Sequence, residues 1–203
     1  LGALRDIDYG IYPYTSSSSV IGAYAPIGAG IPGRRLDRSI GVMKAYSSCV
    51  GEGPFAAEQA ITEAEKHALR EAGHEYGAAT GRPRRVGPFD VVASRYGAAC
   101  QGADELALTL LDVLDYMERI PVVEAYEVGG EVTARFPMGG ALAAAKPVVK
   151  YLPGWKCGIS ACRSWAALPA PAREYVEYLE RAVGRPIRYI SVGAERDAYL
   201  VKE

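Results

Sequence analysis

The sequence predicts an α/β protein with a mostly parallel sheet, flanking helices and a small β-hairpin. Three observations carry that expectation. "ELALTLLDVLD" (105–115) is a near-continuous apolar run, as a strand buried on both faces requires. "PIRYISVG" (186–193) supplies a second buried strand. Amphipathic helical stretches stand between such strands, the alternation that builds parallel sheets. The 203 residues are read as a single α/β region spanning 1–203.

In chain order, "GALRDIDYG" (2–10) reads as a short strand running into a loop. Residues 11–33 lack a helical period and are rich in Gly and Ser, which predicts a long loop. Loops of that length are usually functional or disordered, and Tyr9, Tyr12, Tyr14 and Tyr24 favour function. Residues 33–53 read as a helix–strand unit, with a helix from about Arg34 to Ile40 and a strand through Val42, Lys44 and Tyr46. "AAEQAITEAEKHALREAG" (56–73) predicts one amphipathic helix with Ile61, Ala64, Ala68 and Leu69 on one face, ending at Gly73. An Arg-rich loop over 75–90 follows, then a helix with Asp90 at its N-cap.

Alternating arms around Gly129-Gly130 predict a hairpin over 122–136. Residues 139–152 read equally as helix or strand, with Pro147 against an unbroken helix. "LPAPAREYVEYLERAVG" (168–184) is a helix with proline near its start and Gly184 past its end. Two short strands close the chain.

Composition excludes some classes of function. The 23 basic and 24 acidic residues nearly cancel, so neither a general nucleic-acid binder nor a membrane-surface binder is expected. No apolar run is long enough for a membrane span, and no signal peptide is visible, which predicts a cytoplasmic protein. Cys49, Cys100, Cys157 and Cys162 read as free thiols, and His67 and His74 as surface residues. No cysteine or histidine grouping has metal-ligand spacing. The chain opens without Met and as though in mid-strand, which reads as the C-terminal part of a longer protein.

In parallel sheets, ligands bind outside the carboxyl ends of the strands. Three candidate loops leave such ends: Ser16 to Ser19 after the first strand, Asp112 after the 105–112 strand, and "SVGAER" after the 187–192 strand. The serines form either a flexible linker or a set of donors for phosphate. Arg82, Arg84 and Arg85 form either a solvated turn or a grip for carboxylate and phosphate, chemistry that guanidinium suits. Asp112 is either a helix cap or an acceptor for two N–H groups of a guanine edge.

The segments "DIDYGIYPY", "KAYSSCVGEGPF", "EYGAATGRPRRVGPFD", "LTLLDVLD", "LPGW" and "YISVGAER" resemble, in order and spacing, the C-terminal half of adenylosuccinate synthetases. The resemblance implies a P-loop-NTPase-like family fold lacking its N-terminal half. That half holds the Gly-rich phosphate loop, the catalytic Asp and His, and the Mg²⁺ site, so no catalytic residue and no metal ligand is expected in this segment. It further implies GTP-dependent joining of L-aspartate to IMP through 6-phosphoryl-IMP, in a homodimer.

Ala78, Ala79, Thr80, Gly81, Arg82 and Arg84 correspond to the family's aspartate loop, with Thr80 donating to a carboxylate. Ser16 and Arg82 fall on IMP contacts. Arg84, Leu110, Leu111, Asp112, Ser191, Val192 and Gly193 fall on GTP contacts. The chain departs from the family pattern at several points. Leu110 stands where a base-packing Lys is usual, Cys49 where an Arg is, Ala79 where a Thr is, and Leu1 where an IMP-contacting Gln is. The serine run also lacks an Asn and two Thr. These departures keep open a paralogue using another purine nucleotide or ATP/dATP as donor, and a non-catalytic binding fragment.

Overall fold

The computed structural model describes residues 2–202. The chain opens with a 3₁₀ turn over Gly2–Arg5, not the expected strand. The carboxylate of Asp6 is the physical reason. It accepts the N–H groups of Asp8 at 2.9 Å, Tyr9 at 3.0 Å and Val20 at 2.7 Å, and the Ser19 hydroxyl at 2.9 Å. Side-chain capture of several nearby amides bends the backbone and removes them from any ladder. The serine run therefore follows a turn, and the expectation that it leaves a strand end fails. Most of 11–33 is irregular as expected, interrupted by a 3₁₀ turn at Gly22–Tyr24 and the short helix α1 (Ala25–Gly28).

The helix expected from Arg34 to Ile40 is also absent. Its side chains are drawn to neighbouring strands instead. Ser39 N–H donates to Asp104 at 2.8 Å, and Arg38 pairs with Glu105 while reaching the Tyr189 hydroxyl at 3.1 Å. These long-range partners outcompete local helix propensity. The chain enters β1 (Ile40–Lys44) and then β2 (Ser47–Cys49).

The single helix expected over 56–73 is two elements. A 3₁₀ helix spans Ala56–Ala60, and α2 spans Glu63–Gly73. Thr62 and Glu65 form a reciprocal capping box, which sets the later start. Leu69 and the stem of Lys66 are buried, Ile61 and Ala68 are half-buried, and Ala64 is exposed, which corrects the predicted face. His74, φ 49°, ends the helix in the left-handed region.

Then come β3 (Arg85–Gly87), β4 (Phe89–Asp90) and α3 (Val91–Cys100). Asp90 caps α3 as predicted, accepting the Ala93 N–H at 2.9 Å. Next are β5 (Glu105–Thr109), β6 (Arg119–Val128), β7 (Glu131–Thr133), α4 (Gly139–Ala143) and β8 (Lys146–Pro153). The hairpin around Gly129-Gly130 is present, and 139–152 resolves into a short helix followed by a strand. The chain ends with α5 (Ala170–Val183), β9 (Ile187–Ser191) and β10 (Tyr199–Val201).

One sheet has the order β1-β5-β9-β10, parallel except for β10. A second is centred on β6, which pairs in parallel with β4 and antiparallel with β7 and β8. β2 and β3 form a separate antiparallel pair. The main core lies where α5 packs over the first sheet, burying Tyr175, Val176 and Leu179 with Leu106, Leu108 and Ile190. The Tyr175 hydroxyl donates to Ala45 O at 2.6 Å, so α5 also fixes the chain just past the carboxyl end of β1. Among the described residues, no helix is long and apolar enough to cross a membrane.

Candidate active site

The carboxyl ends of β1, β5 and β9 lie side by side, and two of the three predicted strand-end loops, at Asp112 and at 191–193, leave from this region. β1 ends at Lys44, and two residues later stands Tyr46. The Arg-rich segment returns here as a tight excursion. Arg84 N–H donates to Glu75 O at 2.9 Å, a bridge joins Tyr76 and Pro83, and Gly77 N–H donates to Arg82 O at 2.8 Å. The segment predicted as an open loop over 75–90 is thus a hairpin-like tip over 77–82 whose base continues into β3 and β4. Gly81, φ +63°, takes the turn's left-handed position, where a Cβ would be strained.

Beneath that tip sits Glu75, 1% exposed. Its carboxylate accepts from Lys44 Nζ at 2.5 Å, the Tyr46 hydroxyl at 2.6 Å and Arg84 Nη1 at 2.8 Å. Burial alone would raise its pKa, but these three donors prevail and hold it below the usual carboxylate range. Burial pushes the Tyr46 phenol up, reinforced by its bond to Glu75. Lys44 also donates to Ser48 Oγ at 2.8 Å.

The strand end across from this hub is different. Leu110 takes a positive φ of 59°, uncommon for a residue with a Cβ, and delivers Asp112 past β5. Asp112 Oδ1 is buried with no hydrogen-bond partner, and so is Arg84 Nε. Burial raises the Asp112 pKa. The Tyr46 phenol feels both groups, its pKa raised by Asp112 and lowered by Arg84. Beside Asp112, Leu111 N–H donates to Ser191 O at 3.3 Å, Ser191 Oγ donates to Gly193 O at 3.0 Å, and Val192 is buried. The structure thus brings together Leu110 to Asp112 and Ser191 to Gly193, while Arg84 sits in the Glu75 hub with Tyr46.

The other predicted residues lie further out. Ala78, Ala79, Thr80, Gly81 and Arg82 are exposed at the hairpin tip, and Thr80 Oγ1 accepts the Arg82 N–H at 3.3 Å. No hydrogen-bond partner of the Arg82 guanidinium is found among the described residues. The third arginine of the cluster is structural. Arg85 forks onto Glu58 through Nε at 2.9 Å and Nη2 at 2.6 Å, and donates to Gly53 O at 2.8 Å. Asp115 is likewise committed, accepting Trp155 Nε1 at 2.5 Å and Ile159 N–H at 3.1 Å.

Ser16 is half-buried, and its N–H donates to Arg5 O at 2.8 Å. Cys49, read as the loss of an arginine, has a guanidinium beside it all the same, because Arg5 Nη2 lies 2.7 Å from its Sγ. Cys49 is paired in register with Arg85, so the serine segment connects through β2 and β3 to the arginine hairpin. Leu1 lies outside the described residues. Sequence reasoning missed Lys44, Tyr46, Glu75 and Arg5. The polar residues closing β1 were the available signal for the first two, since a strand's carboxyl end is where ligands bind.

The fold defines an α/β protein whose parallel strands end beside a buried carboxylate hub and an unpartnered aspartate oxygen. Comparison with known proteins narrows the class. The chain matches the adenylosuccinate synthetase family over residues 1–200, and it belongs to that family. It is 45% identical over 203 residues to the adenylosuccinate synthetase of Synechococcus sp. (strain CC9311), covering all of this chain and 46% of that protein. The corresponding enzyme of Sorangium cellulosum (strain So ce56) is 45% identical over 201 residues.

Among solved structures, a fully ligated adenylosuccinate synthetase from Plasmodium falciparum superposes with a TM-score of 0.92 at 35% identity, covering 99% of this chain and 48% of that one. A cyanophage S-2L succinoaminodeoxyadenylate synthetase, bound to dGMP and dATP, reaches a TM-score of 0.51 at 17% identity, a likeness of fold alone. The chain spans about half the length of the relatives it matches, as expected of a half-length portion.

Proposed function

We propose that the full-length protein carrying this chain is an adenylosuccinate synthetase that joins L-aspartate to IMP at the expense of GTP. In that reaction the 6-oxygen of IMP takes the γ-phosphoryl group of GTP, releasing GDP, and the aspartate amine then displaces phosphate at carbon 6. This chain supplies binding and orientation. Arg84 is held at Nη1 by Glu75, and its buried Nε is left unpartnered, a donor for a carboxylate in the two-point geometry guanidinium favours. Arg82 and Thr80, with the backbone of Ala78, Ala79 and Gly81, close over the aspartate from the hairpin tip. Ser16 and Arg82 meet IMP. Asp112, with Leu110, Leu111 and the Ser191-Val192-Gly193 turn, receives the guanine, its two oxygens accepting two N–H groups.

The observation that carries this reading is the pair of buried, unpartnered polar atoms Arg84 Nε and Asp112 Oδ1. Leaving such atoms unpaired is costly, and a ligand that pairs both recovers the cost on binding. Among the described residues no three His, Cys, Asp or Glu side chains cluster as a metal site. Under this reading Mg²⁺ and the phosphoryl transfer belong to the other part of a homodimeric enzyme.

Thermal shift of the full-length protein with GTP, dGTP, ATP and dATP tests the donor, alongside turnover of IMP and aspartate. Stabilisation by GTP with turnover is expected. Stabilisation by ATP but not GTP would move the protein to the paralogue reading that Leu110 invites. No turnover with any donor would leave a binding module.

A further inference from the structure

Arg5, like Arg70 and Arg173, is a half-buried cation that forms no ion pair among the described residues, and it alone of the three bridges the serine segment to another loop. Lys44, Lys66, Arg84, Arg85 and Lys202 each face a carboxylate. The guanidinium of Arg5 is half-buried, yet all of its hydrogen-bond partners are neutral. Nη1 donates to Tyr14 O at 2.6 Å and Glu52 O at 3.3 Å, and Nη2 donates to Val50 O at 3.1 Å and reaches Cys49 Sγ at 2.7 Å. The adjacent carboxylate is spent elsewhere, because Asp6 is occupied by the Asp8, Tyr9 and Val20 amides and the Ser19 hydroxyl. Among the described residues no carboxylate forms an ion pair with Arg5.

The same residue seats Ser16 through its main chain. Arg5 O accepts the Ser16 N–H at 2.8 Å and lies 3.1 Å from Ser16 Oγ, whose proton has Ser18 O as its alternative acceptor, also at 3.1 Å. Arg5 thus grips the serine segment twice, at Tyr14 by its side chain and at Ser16 by its carbonyl. The other half of the fork is fastened to the turn after β2, at Cys49, Val50 and Glu52. One guanidinium ties the segment at Tyr14 to a turn that lies 44 or more residues from Arg5 in sequence. A planar fork of fixed donors suits such bridging, whereas an ammonium concentrates its charge at one point.

We infer that Arg5 is a positioning residue for the phosphate end of the nucleotide site. It fixes the serine segment against the 49–52 turn, and its charge, unopposed by any carboxylate, makes that place favourable for an anion. This rests on the reading of Ser16 as a phosphate contact. It does not depend on the aspartate hairpin, where Arg82 and Arg84 act.

The test uses the full-length protein and the variants Arg5→Leu and Arg5→Lys. KM for IMP, KM for aspartate, kcat and direct IMP binding are measured at low and moderate salt. Arg5→Leu is expected to raise KM and Kd for IMP by about tenfold or more, as misplaced binding groups do. KM for aspartate should change less than about twofold, since Arg5 bonds the serine segment and the 49–52 turn and none of residues 78–84. Arg5→Lys should recover part of the loss, keeping the charge but not the four-point bridge, and its deficit should grow with salt. If Arg5→Leu does not fold, as judged by its melting transition, Arg5→Lys decides by the same contrast between the two KM values.

Unchanged IMP binding in a folded variant, or equal losses for IMP and aspartate, would overturn the inference while leaving the proposed function standing. A wild-type protein that binds no IMP would overturn both.

Discussion

Two carboxylates near the carboxyl ends of the parallel strands, Glu75 and Asp112, are treated oppositely. Glu75 is buried and saturated, with a lysine, a tyrosine and an arginine converging on it. Asp112 is partly buried and left with an unpartnered oxygen. Burial opposes ionisation of both, but only at Glu75 do donors reverse that effect. A carboxylate whose partners all come from its own chain contributes to holding the fold. One that has been desolvated without a partner costs stability, and that cost suits a ligand-binding position. Arg84 belongs to the Glu75 hub, with Nη1 committed to Glu75 and Nε uncommitted.

The sharpest way to break this contrast is Glu75→Ala. It strands three donors around a buried hole, and removing one partner of a buried ion pair typically costs about 3–5 kcal/mol. Lys44 and Arg84 are each about one-third exposed, so the lower end is expected, read as a fall in denaturant midpoint. A loss under about 0.5 kcal/mol, the scale of an ordinary surface change, would show that the hub does not hold the fold.

Arg82→Leu should do the reverse. With no side-chain partner at the exposed tip, it should leave stability within about 0.5 kcal/mol. In the full-length enzyme it should raise KM for aspartate by about 2 kcal/mol or more in binding terms, the loss expected when one charged contact disappears. An unchanged KM would remove Arg82 from the site.

Asp112→Asn has the smallest expected effect on the unliganded fold and sharpens the comparison through pH. The folded-state pKa of Asp112 is raised, so between the unfolded and folded values the native state binds more protons and stability falls as pH rises. The variant should therefore gain on the wild type as pH climbs through and above the ordinary carboxylate range, while its KM for GTP rises. A variant that instead loses ground with rising pH would mean that Asp112 is paired in solution.

Much of this fold was legible from local pattern. The buried strand at 105–109, the Asp90 cap, the 129-130 hairpin and the closing α5–β9 unit follow from periodicity and turn chemistry over short windows. The failures have two causes. Asp6 folds its own segment into a turn and Thr62 with Glu65 delays α2, both through nearby side-chain bonds. Ser39 and Arg38 are captured by Asp104, Glu105 and Tyr189, partners far along the chain. In the site, Asp112 and the 191–193 turn were readable as strand-end residues and Arg84 as one of an arginine cluster, whereas Arg85 looked identical to its neighbours and proved to be neutralised by Glu58.

By itself the sequence determined the class of fold, the family and the kinds of side chain available to bind anions, because these depend on residue types and their spacing. Only the tertiary structure decided which charges are spent and which are free. That depends on the few ångströms between a guanidinium and the nearest carboxylate, and residues 44 and 75, or 5 and 49, become neighbours only once the chain has closed on itself.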